Sequence, residues 1–472
     1  MSWESRRARL AASIAAGVAL GVVYTASPLT FLVVAAFPLV LRRATRQLSA
    51  ADTQAVTAIL TAAFAARVLL IAAIFVIGIP AHNDLSVGAL AGDERYNVSR
   101  ALRMRDVLLG MATSKYDYMV AFDEYGASSY LVLLTAIQTL FGPAPFGIKV
   151  FNSVLFIVGA VLLYRTVRPA YGAVPAMLGL GLLLFIPSLL YSSASALKES
   201  AYFLAAATCV TGAIYTVRAS SISRRVLAIA FIAASVWILN DLRRGGAELA
   251  IAGLAVGFAA RLIFVSKLRT VAAGVVAGGA MIAVLVVPSL RGRLIDGLTA
   301  AAKMHSGHVF TVGHKYELLD AGSYYTPAAP SSFPLVLSPD HAARFALRGV
   351  YTFLVTPLPW QMRSRGELAA LPEQVLWYLL IIGVPIGIVA GWKRDRLTTA
   401  LLVGYVLPTA AVLALTTGNV GTLMRLRGLV TPYVLWVSVL GYCVMLDWLV
   451  RSPRPDASNT PSEFGALTRA TS

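Results

Sequence analysis

The chain has 472 residues, of which 58% are apolar and only 13% charged, with a mean hydropathy of +0.74. Soluble domains carry roughly 25% charged residues, so this balance excludes a water-soluble globular protein and points to an all-α polytopic membrane protein. The formal net charge of +18 invites a nucleic-acid reading, but the distribution of the basic residues argues for no nucleic acid partner.

Twelve apolar segments read as spans: 10–26, 28–41, 54–79, 144–165, 172–191, 199–217, 224–240, 246–264, 269–288, 374–391, 398–416 and 428–449. The basic and then apolar N-terminus has no clear small-residue cleavage site, so it reads as retained helix rather than a removed signal peptide. The second span is short and is expected to tilt or to pair closely with the first through Ser27-Pro28. The apolar stretches 126–141 and 345–360 are about 16 residues each, too short to cross, and read as interfacial or re-entrant helices. Cys209 and Cys443 both fall within spans and read as small buried apolar residues.

Charge sorts the connections into two faces. One gathers Arg42, Arg43, Arg46, Arg165, Arg168, Arg218, Arg224 and Arg225, then Arg261, Lys267, Arg269, Lys393, Arg394 and Arg396. With both termini it holds 20 basic and 6 acidic residues. The other face holds 19 basic and 16 acidic residues, and Arg67 lies within a span. Positive charge marks cytoplasmic connections, so the long loops 80–143 and 289–373 face outward. Residues 1–451 form one transmembrane domain, and the Pro/Ser/Thr-rich 452–472 reads as a disordered cytoplasmic tail. No internal repeat supports an inverted-repeat transporter.

The first candidate site is Gly92-Asp93-Glu94-Arg95-Tyr96, an acidic pair just past the span that ends at Ile79-Pro80. Asp93 can act as a general base toward an acceptor hydroxyl. Glu94 would support it, or the two would hold a divalent cation such as Mg or Mn through oxygen ligands. A solvated helix N-terminus explains the same two acids.

Next, Lys198-Glu199, among Ser192, Ser193, Ser195 and Ser200, suits a phosphate or an acidic sugar, or else a salt-bridged loop. Arg243 and Arg244, and Arg425 and Arg427 after Gly418-Asn419, sit in short outer connections against the charge rule. Guanidinium forks match phosphate oxygens, so a lipid-linked phosphate would account for them, as would anionic headgroups. In the second loop, which also holds Tyr316 and His341, the closely spaced His305, His308 and His314 invite a metal reading, but H-x-x-H-x5-H without partner cysteines is a weak zinc signature. With Trp360 they read instead as a sugar- or acceptor-binding surface. The chain lacks a P-loop, H-E-x-x-H and G-x-S-x-G.

The order of these features resembles a known family. An apolar span precedes G-D-E-x-Y. Leu140-Phe141-Gly142, Asn152, Tyr164-Arg165, Tyr171-Gly172, Pro187-Ser188 and Lys198-Glu199 follow. This pattern, over residues 54–217, is similar to the GT-C class of membrane glycosyltransferases, which includes protein mannosyltransferases and the lipid A aminoarabinose transferase. A looser likeness runs through Pro357-Leu358-Pro359-Trp360 and residues 418–427. The resemblance implies a polyprenyl-phosphate-linked sugar donor and an inverting transfer to a glycan, lipid or protein acceptor at the outer face of the plasma membrane. It also implies Asp93 as catalytic carboxylate, with Lys198 or Glu199 near the donor. Rival expectations are a polymerase or ligase of lipid-linked polysaccharide, in which the arginines dominate, and a flippase of lipid-linked sugars.

Overall fold

The computed structural model describes residues 17, 27–82, 92–124, 127–311, 313–324, 335–362 and 364–451. The expected span 10–26, the tail 452–472 and the start of the first outer loop lie outside the described residues. The described chain is helical, and its only β-type pairing is an isolated bridge between Lys315 and Asn419.

The helices follow the apolar runs. They are α1 (Pro28–Thr45), α2 (Ala50–His82), α3 (Gly92–Leu108), α4 (Lys115–Ala121), α5 (Ser129–Phe141), α6 (Pro145–Tyr171), α7 (Ala173–Phe185), α8 (Pro187–Ser193), α9 (Glu199–Arg218), α10 (Ile222–Leu242) and α11 (Gly246–Ile263). After them come α12 (Lys267–Val286), α13 (Pro288–Val309), α14 (Pro339–Val355), α15 (Arg365–Ala369), α16 (Leu371–Arg394), α17 (Arg396–Thr416), α18 (Val420–Arg427) and α19 (Thr431–Arg451). Ten are long and apolar enough to cross a membrane, or eleven if α7 and α8 form one span. These coincide with the expected spans other than 10–26, so this is a polytopic helical membrane protein.

One correction comes from local sequence. The segment 172–191 is not one straight helix, because α7 and α8 meet at 63°. Pro187 lacks an N–H and opens the new helix at its first position. The two apolar outer stretches form α5, 13 residues long, and α14, whose face exposes Leu347, Val350 and Tyr351.

Close helix packing rests on glycine, as expected where no aqueous hydrophobic effect drives helices together. A Cβ at Gly387 of α16 would lie 1.8 Å from the Val437 carbonyl oxygen of α19. One at Gly404 of α17 would lie 2.3 Å from the Gly257 nitrogen of α11. The buried core centres on α6, which packs against α1, α2, α7 and α9.

The two sets of connections remain separate in space. At one end, Arg165 donates to the carbonyl oxygens of Arg43 and Arg46, Arg168 pairs with Asp52, Arg218 with Asp395, and Arg394 donates to the Tyr171 carbonyl oxygen. At the other end lie the acidic pair, the Ser193–Lys198 turn and the 417–419 connection, joined by the contacts described next.

Candidate functional site at the mouth of an apolar cavity

Asp93 and Glu94 both lie in the first turn of α3, yet they face different surroundings. Glu94 is 1% exposed, and its Oε1 accepts from Lys149 Nζ at 2.8 Å and from the Ala196 backbone N–H at 2.6 Å. A buried carboxylate stays charged only with such partners. Asp93 is exposed, and its Oδ2 accepts from Arg425 Nη1 at 3.0 Å. The pair therefore diverges, each member engaged by a protein cation, and this donor set does not fit one shared divalent cation. Among the described residues, no group of three or more His, Cys, Asp or Glu side chains is placed to hold a metal ion.

The Ser193–Lys198 turn is fixed by polar side chains from α6. Asn152 Nδ2 donates to the carbonyl oxygens of Ser195 and Leu197 at 2.8 and 2.9 Å, and Ser153 Oγ to that of Ser193 at 3.1 Å. With Glu94 on the Ala196 N–H, the turn is held from two helices, and it presents Lys198 and Glu199. Arg67, fully buried in α2, donates from Nε to Ser193 Oγ at 2.8 Å and belongs to the same support.

The third contribution is α18. Asn419 caps it, Oδ1 accepting from the N–H groups of Gly421 and Thr422 at 2.9 and 3.3 Å. Residues two apart on a helix diverge by about 200°, so Arg425 and Arg427 separate. Arg425 turns to Asp93. Arg427 is 4% exposed and donates to Gln374 Oε1 at 3.0 Å and to the carbonyl oxygens of Phe353 and Thr356, beneath Trp377. Burial pulls its pKa down to about 10. Those donors are taken by the protein's own oxygens, so Arg427 braces the fold, and the structure does not join it to Arg425.

These elements surround a cavity of about 960 Å³. Its walls are mainly apolar and include Phe156, Leu189, Phe203, Leu429 and Tyr433, while its polar lining includes Ser192, Glu199, Glu373 and Arg425. The Glu199 Oε2 atom is buried without a hydrogen-bond partner among the described residues, an open acceptor in an apolar wall. Lys198 stands beside it. Burial lowers the Lys198 pKa, and the nearby Arg243 and Arg425 lower it further, against Glu199 and Asp241. Arg243 lies over the ring of Tyr202, a cavity residue, at 5.8 Å. The mouth thus concentrates three cations and three acids, Asp93, Glu199 and Asp241. Asp241 Oδ2 accepts from the Ser129 N–H at 2.6 Å.

Other expected site residues fall elsewhere. Arg244 is exposed. Tyr96 turns back on its own helix, its hydroxyl 3.4 Å from Arg100 Nη1. His314 Nδ1 meets Glu367 Oε1 at 3.0 Å, and the Tyr316 hydroxyl meets Thr417 Oγ1 at 2.8 Å. With the Lys315–Asn419 bridge, these contacts lay the second loop along the 417–420 connection. His305 joins the Thr417 carbonyl at 2.6 Å and the Tyr324 hydroxyl at 2.9 Å, and burial depresses its pKa to about 4. These loop residues support α18 and do not line the cavity. Trp360 is 77% exposed and also stands outside the cavity wall.

Sequence reasoning missed Lys149, Glu373 and Arg100. Lys149 was legible as a lone cation within an apolar span. Glu373 orders the bend by accepting from the Ser188 N–H at 2.9 Å and from its hydroxyl. Arg100 is 1% exposed and donates to the Ala121 and Asp123 carbonyls, tying α4 to α3; an arginine on a polar helix gives no sequence signal of that role.

The chain matches no known family, no curated protein and no solved structure. The site therefore rests on its own chemistry.

Proposed function

We propose that this chain is an integral-membrane glycosyltransferase that moves a sugar from a polyprenyl-phosphate donor to an extracytoplasmic glycan, lipid or protein acceptor. The observation that carries the reading is the Asp93–Arg425 contact at the edge of a large apolar cavity that Arg425 also lines. An apolar cavity with cations at its mouth suits a lipid-linked phosphate: the isoprenoid enters the cavity and the phosphate meets Arg425, Lys198 and Arg243. Bidentate guanidinium–phosphate bonds are stronger than the exposed Arg425–Asp93 pair they would displace, so donor binding would release Asp93.

In this scheme Asp93 takes the proton of the acceptor hydroxyl as its oxygen attacks the anomeric carbon. The bond from that carbon to the phosphate oxygen breaks with inversion, and the electron pair leaves on the phosphate, stabilised by the cations. Positioning and charge stabilisation supply the rate enhancement. Glu199, with its open oxygen, would accept a hydroxyl of the donor sugar. Glu94 positions the turn and takes no part in proton transfer. The charge rule supports an extracytoplasmic position for this face, and the resemblance to the GT-C class supports the plasma membrane.

The test is transfer by the purified full-length chain in proteoliposomes with a polyprenyl-phosphate sugar. Asp93→Asn should abolish transfer while leaving thermal unfolding unchanged, and retained turnover would refute the assignment. Loss in Arg425→Ala with full turnover in Asp93→Asn would favour the polysaccharide polymerase or ligase reading.

A further inference from the structure

A second concavity lies at the opposite end of the bundle, among α11, α16 and α17. It encloses about 440 Å³, and its walls include Val256, Ala260, Ile388, Val403 and Leu407. From Val256 to Phe264, or from Thr399 to Leu407, is eight residues, so the groove runs about 12 Å into the bilayer depth. Its mouth holds Lys393, with Phe264 and Trp392 packed edge to face at 5.7 Å. Aromatic rings and lysine mark the headgroup level of a bilayer.

Basic residues outnumber acids around this mouth. Arg261, Lys267, Arg269 and Arg396 occupy the same connections. The nearest acid in sequence, Asp395, is taken by Arg218 and by the Thr398 N–H that it caps. Lys393 is exposed and makes no ion pair among the described residues. An apolar slot one acyl segment deep, capped by an exposed lysine, complements an amphiphile with an anionic head.

We propose that this groove binds an anionic phospholipid of the leaflet on the basic face. One acyl chain lies along α17 in the groove flanked by α11 and α16, beside Val256 and Val403, and its headgroup phosphate pairs with Lys393. The close approach of Gly257 and Gly404 that shapes the groove makes this lipid a support for the α11–α17 packing. The site is remote in the fold from the Arg425 cavity and shares none of its lining residues, so the inference stands apart from the proposed transfer reaction.

Native mass spectrometry of the detergent-purified full chain, offered phosphatidylglycerol or phosphatidylcholine with the same acyl chains, tests it. Phosphatidylglycerol should be retained in preference. Lys393→Ala should weaken its retention about fivefold, the effect of one cation near a headgroup, and Ala260→Trp, which fills the groove, should remove it. Equal retention of the two lipids, or phosphatidylglycerol retention unchanged by either variant, would overturn the proposal. Because Lys393 is exposed, its alanine variant decides the question even if the tryptophan variant fails to assemble.

Discussion

Successive side chains on a helix diverge by about 100°, and at the start of α3 that angle separates two acids of the same chemistry into different roles. Glu94 is buried against Lys149, where removing one partner strands the other charge and costs about 3–5 kcal/mol. Glu94→Ala should therefore lower thermal stability strongly, and the double variant Glu94→Ala, Lys149→Met should recover much of the loss. Asp93, exposed beside Arg425, should tolerate asparagine within about 0.5 kcal/mol of stability. Arg425→Ala should raise the KM for the donor about tenfold or more, since charge-assisted bonds to phosphate contribute about 1.5–3 kcal/mol. Equal destabilisation by the Asp93 and Glu94 variants would contradict this division. The acidic pair was legible in the sequence, but its division was not: the partner of Glu94 lies on α6, and helix phase alone does not locate it.

At the scale of elements, the docking of the second loop onto α18 depends on a neutral imidazole. His305 has a folded pKa of about 4, below the ordinary 6.5. As pH falls from 6.5 the unfolded loop takes up the proton first, so stability declines through that window by about 1.4 kcal/mol per pH unit and levels off below about pH 4. Protection factors of residues 305–324, corrected for the pH dependence of intrinsic exchange, should fall as pH is lowered between those values, and His305→Gln should flatten the dependence. Composition reads the histidine cluster as a binding surface; in the structure His305, His308 and His314 each meet a partner from a distant element, Thr417, Thr416 and Glu367. The α7–α8 break was foreshadowed by Pro187, although the cavity it opens needed the positions of α9 and α19. Gly404→Leu should lower the melting temperature and the yield of folded protein, because a side chain there meets backbone and overpacking costs about 1–3 kcal/mol or more.

At the scale of the whole molecule, one distribution of charge orders the architecture. The spans were legible because apolar length is a property of the chain itself, and basic asymmetry supplies the expectation that the long loops face outward. The site was legible only in part. Asp93, Lys198, Glu199, Arg243 and Arg425 converge, while Arg427 does not, although it is two residues from Arg425. Convergence depends on which helices meet, and eleven candidate spans can meet in many ways. Single cysteines placed in the loops at 115 and 303 should label from one side of the membrane only, and one at 224 from the other. Labelling of all three from one side would break the two-face arrangement.

The most direct test is a cryo-electron microscopy map of the full-length protein with a polyprenyl phosphate. The account predicts phosphate density within hydrogen-bond reach of Arg425, with the isoprenoid in the cavity lined by Phe156, Phe203 and Tyr433, and with Asp93 released from the arginine. Phosphate bound away from Arg425, or an isoprenoid outside that cavity, would contradict it.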